Sequence, residues 1–345
     1  MQVLVTGGAG YIGSHTMVEL LSAGHEVVCI DNLVNASQEA VRRVEAITGK
    51  NIIFYPYDVG DRQRMKEIFA AHHIDAVIHF AGHKAVGESV TNPLRYYTNN
   101  VGMTFTLCEV MADYGCKNLV FSSSATVYGD PVCVPITENA MVAPTNPYGR
   151  TKLMIEQVLG DLSASDPNWN IVVLRYFNPI GAHESGMLGE DPRGIPNNLL
   201  PFIAQVAVGK RDKLYVFGDD YPTPDGTGVR DYVHVVDLAK GHVSALDKGL
   251  EWTHQENKLL TVNLGTGEGS SVLDVVKAFE WASGIQIPFE IVSRRPGDVA
   301  SCYAEANRAY ELLGWKSEFD LQRMCEDAWR WQRANPDGYA DFNDS

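Results

Sequence analysis

The sequence predicts an α/β protein: a doubly wound parallel sheet followed by a smaller C-terminal α/β domain. Three observations predict it. Short, mostly β-branched apolar runs alternate with segments of helical spacing through the first half of the chain. A glycine-rich turn, "TGGAGYIG", follows the first of those runs directly. From about Gly181 the texture changes to a Gly-, Pro- and polar-rich stretch, "GAHESGMLGEDPRGIPNN", with shorter mixed elements beyond it. A chain of 345 residues also exceeds the size at which one core usually stops growing. Two packed domains are therefore expected, residues 1–180 and 181–345, the second covering the open edge of the sheet, with strand exchange between them allowed.

The strands are read in order as "VLVT" (3–6), "VVCI" (27–30), "IIFY" (52–55), "AVIHF" (76–80), "LVFSS" (119–123) and "IVVLRYF" (171–177). Near-continuous apolar runs of this kind belong to strands covered on both faces, which helices at 12–23 and 62–72 begin to supply. The pair His72 and His73 reads as a helix end, and His79 as a core residue on a buried strand. The tail "NPDGYADFNDS" is expected to fray, and there is no internal repeat or low-complexity tract.

Hydrophobic content of 45% and charged content of 21% are ordinary for a soluble globular protein. The formal net charge of -15 disfavours nucleic acid and anionic membrane as partners, since both would repel the chain. Any anionic ligand must then be held by local arginines and backbone amides. The six cysteines, at 29, 108, 116, 133, 302 and 325, are scattered with no Cys-x-x-Cys, which points to a reducing cytoplasm. The opening "MQVLVTGG" shows no signal-peptide pattern, and no apolar run approaches the roughly 20 residues of a membrane span. The ten histidines form no ligand pattern, so no metal is expected.

The first motif is Gly7-x-x-Gly10-x-x-Gly13, between a strand and a helix. Glycines there permit a tight turn and let backbone N–H groups approach a pyrophosphate at the positive end of the helix. Asp31, at the end of the second strand, stands where a carboxylate binds ribose hydroxyls, and it would repel the 2′-phosphate of NADP. A Rossmann domain that binds NAD is the reading. Asp58, read as ending the third strand in "YDVGD", suits either the adenine or a simple strand-end cap.

The second motif is "NPYGRTK". A helix starting at Pro147 sets Tyr148 and Lys152 one turn apart on the same face. A free tyrosine has a pKa near 10, so a working base at neutral pH needs a shift of about 3 units, roughly 4 kcal/mol. A lysine charge about 6 Å away supplies roughly 3 kcal/mol at an effective dielectric near 20. The remainder falls to the positive nicotinamide of NAD⁺. Ser124, in "FSSSATVYG", ends the fifth strand at the edge where ligands of parallel sheets bind, and its hydroxyl suits the same substrate oxygen as Tyr148.

With these motifs in place, the chain resembles the extended short-chain dehydrogenase/reductase family, and within it the UDP-sugar 4-epimerases, from about residue 1 to about residue 336. Matching stretches include "VTGGAGYIGSH", "IDNLVN", "HFAGHKAVGESV", "NNVGMTFTL", "FSSSATVYG", "PYGRTKLMIE", "LRYFNPIGAH", "IPNNLLP", "GTGVRDYVHVVDLA", "NLGTG" and "RRPGD". The resemblance implies inversion at C4 of UDP-glucose and UDP-galactose through a 4-keto sugar, with transient hydride transfer to bound NAD. Tyr148 would take the 4-hydroxyl proton, Ser124 steady the oxygen, and Lys152 hold the nicotinamide ribose and lower the phenol's pKa. Besides Gly7, Gly10, Gly13, Ser124, Tyr148 and Lys152, it implies cofactor contacts from Tyr11, Ile12, Asp31, Asn32, Asn35, Asp58, Val59, Phe80, Ala81, Gly82, Lys84, Asn99 and Phe177.

For the UDP-sugar it implies Ser124, Tyr148, Asn178, Asn198, Leu199, Phe217, Arg230, Arg295, Asp298 and Cys302. Arg230 and Arg295 give an acidic chain the local charge a diphosphate requires, though single arginines commonly form surface ion pairs. Lys84 suits cofactor hydroxyls or plain solvation. Cys302 stands where some relatives carry a tyrosine against the sugar. A small residue there goes with room for an N-acetyl group, so UDP-GlcNAc and UDP-GalNAc join the expected substrates. A cysteine that merely packs is the alternative. The family also implies a homodimer. A nucleotide-sugar 4,6-dehydratase is disfavoured because Ala125 and Thr126 replace the Asp-Glu pair that eliminates water. A catalytically silent NAD-binding scaffold is disfavoured because both Tyr148 and Lys152 are present.

Overall fold

The computed structural model describes residues 1–194, 196, 198–256, 259–295 and 297–339. The six apolar runs form β1 (Gln2–Thr6), β2 (Glu26–Ile30), β3 (Ile53–Tyr55), β4 (Ala76–His79), β5 (Asn118–Ser124) and β6 (Asn170–Tyr176). Further along the chain follow β7 (Asn178–Ile180), β8 (Leu214–Phe217), β9 (Val229–Arg230), β10 (Tyr232–His234), β11 (Leu260–Leu264), β12 (Ser270–Ser271), β13 (Phe289–Val292) and β14 (Ser301–Cys302). Among the described residues the main sheet has seven strands, all parallel, in the order β11-β6-β5-β4-β1-β2-β3.

Alternation along each strand divides the core. Val3, Val5, Cys29 and Ile78 face the helices Tyr11–Ser22 and Val235–Ser244. Leu4, Val28, Ile30 and Val77 face Arg62–Ala71, Met103–Asp113 and Pro147–Ser165. A third cluster around Ile203, Val216, Phe279 and Met324 lies in the second half apart from Ile180. That half also completes the main sheet: β11 lies against β6, with Leu260, Val262 and Leu264 fully buried. Covering the sheet's edge is thus done by a strand as well as by helices.

Two local expectations need correction. Asp58 does not end the third strand; Pro56, which has no N–H for the ladder, follows Tyr55, and Asp58 lies in the loop beyond. The tail is ordered as far as residue 339. The Tyr339 N–H donates to Asp191 Oδ2 at 2.8 Å, and its ring packs on Trp331 at 4.8 Å between centroids. Residues 340–345 of the tail lie outside the described residues.

His72 caps the end of the Arg62–Ala71 helix, and His79 is buried between the hydroxyls of Thr6 and Thr104. Among the described residues all cysteines are free, no cluster could hold a metal ion, and no helix is long and apolar enough to cross a membrane.

Candidate active site

The glycine turn is set by steric need. Gly7 has φ +68°, and a Cβ there would lie 2.7 Å from the Ala81 nitrogen. A Cβ on Gly13 would lie 2.4 Å from the Gly7 carbonyl oxygen and 2.8 Å from the Gly8 Cα. Gly10 caps the Tyr11–Ser22 helix with no side chain of its own, so no side-chain oxygen competes for the first-turn amides. A helix start that lines the cleft, with close backbone approach, fits the pyrophosphate of a dinucleotide. Asp31 follows β2, and its carboxylate accepts from the N–H groups of Ala9 (3.1 Å) and Leu33 (2.9 Å). Burial raises its pKa above the ordinary carboxylate range, while those amides oppose the rise. Asn32 Nδ2 donates to Asp58 Oδ2 at 2.7 Å, so the loops after β2 and β3 meet.

These loops open on a cleft of about 610 Å³ at the carboxyl ends of the strands. Its walls include Gly7, Gly10, Tyr11, Ile12, Gly13, Asp31, Asn32, Asn35, Asp58, Val59, Phe80, Ala81, Gly82, Lys84, Asn99, Tyr148 and Lys152. Of the expected cofactor contacts, Ser124 and Phe177 fall outside those walls. Phe177 packs in a separate cluster with Ala125, Val127, Tyr128 and Ile136.

Tyr148 and Lys152 lie in the first two turns of the Pro147–Ser165 helix. Pro147 fixes the first helical position, and Asn146 Oδ1 accepts the Gly149 N–H at 2.9 Å. Both functional side chains are buried. The Lys152 ammonium donates to the Ser122 carbonyl at 2.8 Å and stands 6.0 Å from the centre of the Tyr148 ring. Burial pushes the phenol's pKa up, with Tyr176 adding to it and a hydrogen bond with Ser124 opposing it. Burial also brings the lysine down to about 8, with Glu156 opposing. Ser124 Oγ additionally accepts from Thr126 at the start of the turn that follows β5.

The residues expected to meet the UDP-sugar come mostly from the second half. Asn198 lines the cleft and caps the Leu199–Ala207 helix, of which Leu199 is the first residue. The Arg295 guanidinium lies over the Phe217 ring at 4.6 Å, and its Nε meets Asp298 Oδ2 at 3.1 Å. Arg230 and Cys302 are register partners on β9 and β14. Arg230 and Arg295 both pull down the pKa of Tyr232, which burial lifts to about 12, so the two cations share one region. Asn178 is exposed at the start of β7. Cys302 packs against the cluster that holds Phe177, and burial raises its thiol to about 11.

A model of the NAD dependent epimerase/dehydratase family matches residues 3–265. The chain belongs to this family. It is 59% identical over 98% of its length to a UDP-glucose 4-epimerase of Bacillus subtilis (strain 168), covering 99% of that protein. It is also similar to the crystal structure of a UDP-glucose 4-epimerase from Bifidobacterium longum in complex with NAD+ and UDP. There the TM-score is 0.93 at 54% identity, over 98% of this chain and all of that one. A structure from Stenotrophomonas maltophila with bound NAD and formylated UDP-arabinopyranose gives a TM-score of 0.94 at 51% identity, over 97% and 99% of the two chains.

In this epimerase-family chain, sequence reasoning missed the roof of the cleft. Gly189, Glu190, Asp191, Pro192 and Arg193 line it from the second half, and so does Tyr339. Glu190 accepts from Lys84 Nζ (3.1 Å) and Asn198 Nδ2 (2.7 Å), joining a residue expected at the cofactor to one expected at the sugar nucleotide. Arg193 donates to the Ala36 carbonyl at 2.7 Å. The available signal was the Gly- and Pro-rich polar stretch itself, since functional groups concentrate in such loops. Tyr176, the last residue of β6 and a wall beside Tyr148, had no signal beyond being aromatic at a strand end.

Proposed function

We propose that the chain catalyses reversible inversion at C4 of UDP-glucose and UDP-galactose with NAD as its cofactor. The observation that carries this reading is a buried phenol, Tyr148, in the same cleft as the glycine turn and Asp31, with a lysine charge 6.0 Å from its ring. NAD, when bound, supplies the acceptor and later the donor for the C4 hydrogen, and carries a positive ring into the cleft. Tyr148 takes the proton from the 4-hydroxyl and returns it. Ser124 holds the reacting oxygen through a hydrogen bond, and Lys152 stabilises the phenolate by about 3 kcal/mol at an effective dielectric near 20. Arg230 and Arg295 hold the diphosphate, so that the 4-keto sugar turns about a fixed anchor and presents its other face.

Cys302 extends the reading to UDP-GlcNAc and UDP-GalNAc. Its side chain, packed against the cluster that holds Phe177, is smaller than the tyrosine some relatives carry there. A homodimer in a reducing cytoplasm completes the reading. Exposed Met154 on the Tyr148 helix, with exposed Val90, Leu94 and Phe105 on other helices of the first half, supports pairing of two copies, and free cysteines support the compartment.

Incubation of the purified protein with each of the four UDP-sugars, without added cofactor and again with NAD, tests this. Interconversion within each pair at unchanged mass is expected. Loss of water would mark a dehydratase, and no conversion of UDP-glucose even with NAD would end the reading. Cys302→Tyr is expected to suppress the N-acetyl pair only; absence of that activity in the unmodified protein removes the extension.

A further inference from the structure

Residues 335–339 follow the Leu321–Ala334 helix and run back to the cofactor cleft, where Tyr339 becomes one of its walls. Tyr339 grips the roof in two ways. Its backbone N–H donates to Asp191 Oδ2 at 2.8 Å, and its phenol hydroxyl both accepts the Gly189 N–H at 3.2 Å and donates to the Gly189 carbonyl at 3.3 Å. The ring rests on Trp331, and the Arg43 guanidinium lies over both rings, 5.0 Å from Tyr339 and 5.6 Å from Trp331. Arg43 also donates to the carbonyl of Met187 at 3.0 Å and to Asn335 Oδ1 at 2.7 Å.

The fit leaves little slack. A Cβ on Gly338, at φ +74°, would lie 2.2 Å from an Asp191 carboxylate oxygen, and one on Gly189 would lie 2.2 Å from the Trp331 ring. The cleft's floor is the glycine turn of the first half, and its roof comes from the second. A ligand lying between them contacts both, so what holds the roof in place bears on its release. Two further ties, Arg193 to Ala36 and Lys84 to Glu190, hold the roof at other edges.

We propose that residues 335–339 are a clasp on the roof of the NAD cleft, and that Tyr339 is the positioning residue that sets how slowly the cofactor leaves. This rests on the NAD reading given above. Losing the ring and its two hydrogen bonds to Gly189 at the roof is expected to speed release by roughly tenfold or more.

The test loads the full chain with NADH, chases it with excess NAD, and follows release by the change in NADH fluorescence. Tyr339→Ala is expected to release at least about tenfold faster than the parent, and Tyr339→Phe, which keeps ring and backbone amide, within about threefold. Gly338→Ala, which drives a methyl group against Asp191, gives a second route to a loosened clasp and carries the test if Tyr339→Ala fails to fold. Release from Tyr339→Ala, or from Gly338→Ala in its place, within twofold of the parent overturns the proposal. So does a lowered unfolding temperature of the cofactor-free variant with unchanged release, which would make Tyr339 merely structural. A parent that binds no NADH removes the NAD reading and the clasp with it, and is told apart from the other outcomes by the absence of any fluorescence change on loading.

Discussion

Tyr148 and Lys152 are each held against their charged form. The Tyr-x-x-x-Lys spacing and the 6 Å separation were legible in the sequence, but the burial that acts on both groups was not, because it depends on walls from distant strands. An unfolded lysine keeps its proton to about pH 10.5, whereas buried Lys152 loses it near 8. Below pH 8 both states carry the proton, and the full cost of burying the charge is present, up to roughly 3 kcal/mol. Between pH 8 and 10.5 the unfolded chain binds more protons, so stability from this group rises with pH. Lys152→Met is therefore expected to stabilise the cofactor-free protein at pH 7 by about 1–2 kcal/mol, part of the gain being lost with the hydrogen bond to Ser122. Turnover falls by roughly a hundredfold or more. Urea denaturation of both proteins at pH 7 and 9.5 checks this: the stability gap should narrow at the higher pH, and a constant gap would exclude the mechanism. Tyr148→Phe is expected to cut turnover by about 10²–10⁴ while bound NAD is retained, measured by the cofactor's absorbance after gel filtration.

The helix Pro147–Ser165 delivers both groups, and its angle to the sheet is fixed one turn beyond Lys152. There the Glu156 carboxylate accepts from Arg175 Nη2 on β6 at 2.6 Å and from the Ser123 hydroxyl on β5. Arg175 goes on to the Tyr128 hydroxyl at 3.1 Å, and Tyr128 to Asn263 Oδ1 on β11 at 2.6 Å, so one polar chain ties the helix to three strands. Arg175 and Glu156 are both buried, and removing one charge strands the other. Glu156→Gln is expected to cost about 3 kcal/mol of stability, read from the denaturation midpoint. It also removes the charge that holds Lys152 up to 8, so activity at neutral pH falls further than the stability loss explains. Full activity in a folded Glu156→Gln protein would separate the carboxylate from Lys152. Nothing in the spacing announced this network, because Glu156, Arg175, Tyr128 and Asn263 are distant in sequence. The six strands of the first half were legible because β-branched runs declare themselves. The run at Leu260–Leu264 has the same apolar character, but periodicity does not say which sheet a strand joins.

That seventh strand shapes the molecule as a whole. The site is built from a floor in the first half and a roof in the second, and the polar roof was illegible in the sequence because its contacts are long-range. Tyr339 and Asp191, for instance, are 148 positions apart, and a stretch rich in Pro, Asp and Gly reads locally as a loose end. Chains of this length commonly unfold domain by domain. Here β11 makes that difficult. It pairs with β6 along all five of its residues, and Leu260, Val262 and Leu264 share one buried cluster with Val3, Val5 and Leu238. Unfolding the second half would strip β11 from the sheet, leaving the hydrogen-bonding edge of β6 open beside apolar surface. Unfolding the first half would leave β11 without a partner. The cofactor-free protein is therefore expected to melt in one transition, with a ratio of calorimetric to van't Hoff enthalpy near one. A fragment of residues 1–180, lacking β11 and the helix Val235–Ser244 that covers one face of the sheet, is expected to aggregate or to lack a cooperative transition. Two resolved calorimetric transitions, or a soluble 1–180 fragment that melts cooperatively, would show that the first half closes its own core without the borrowed strand.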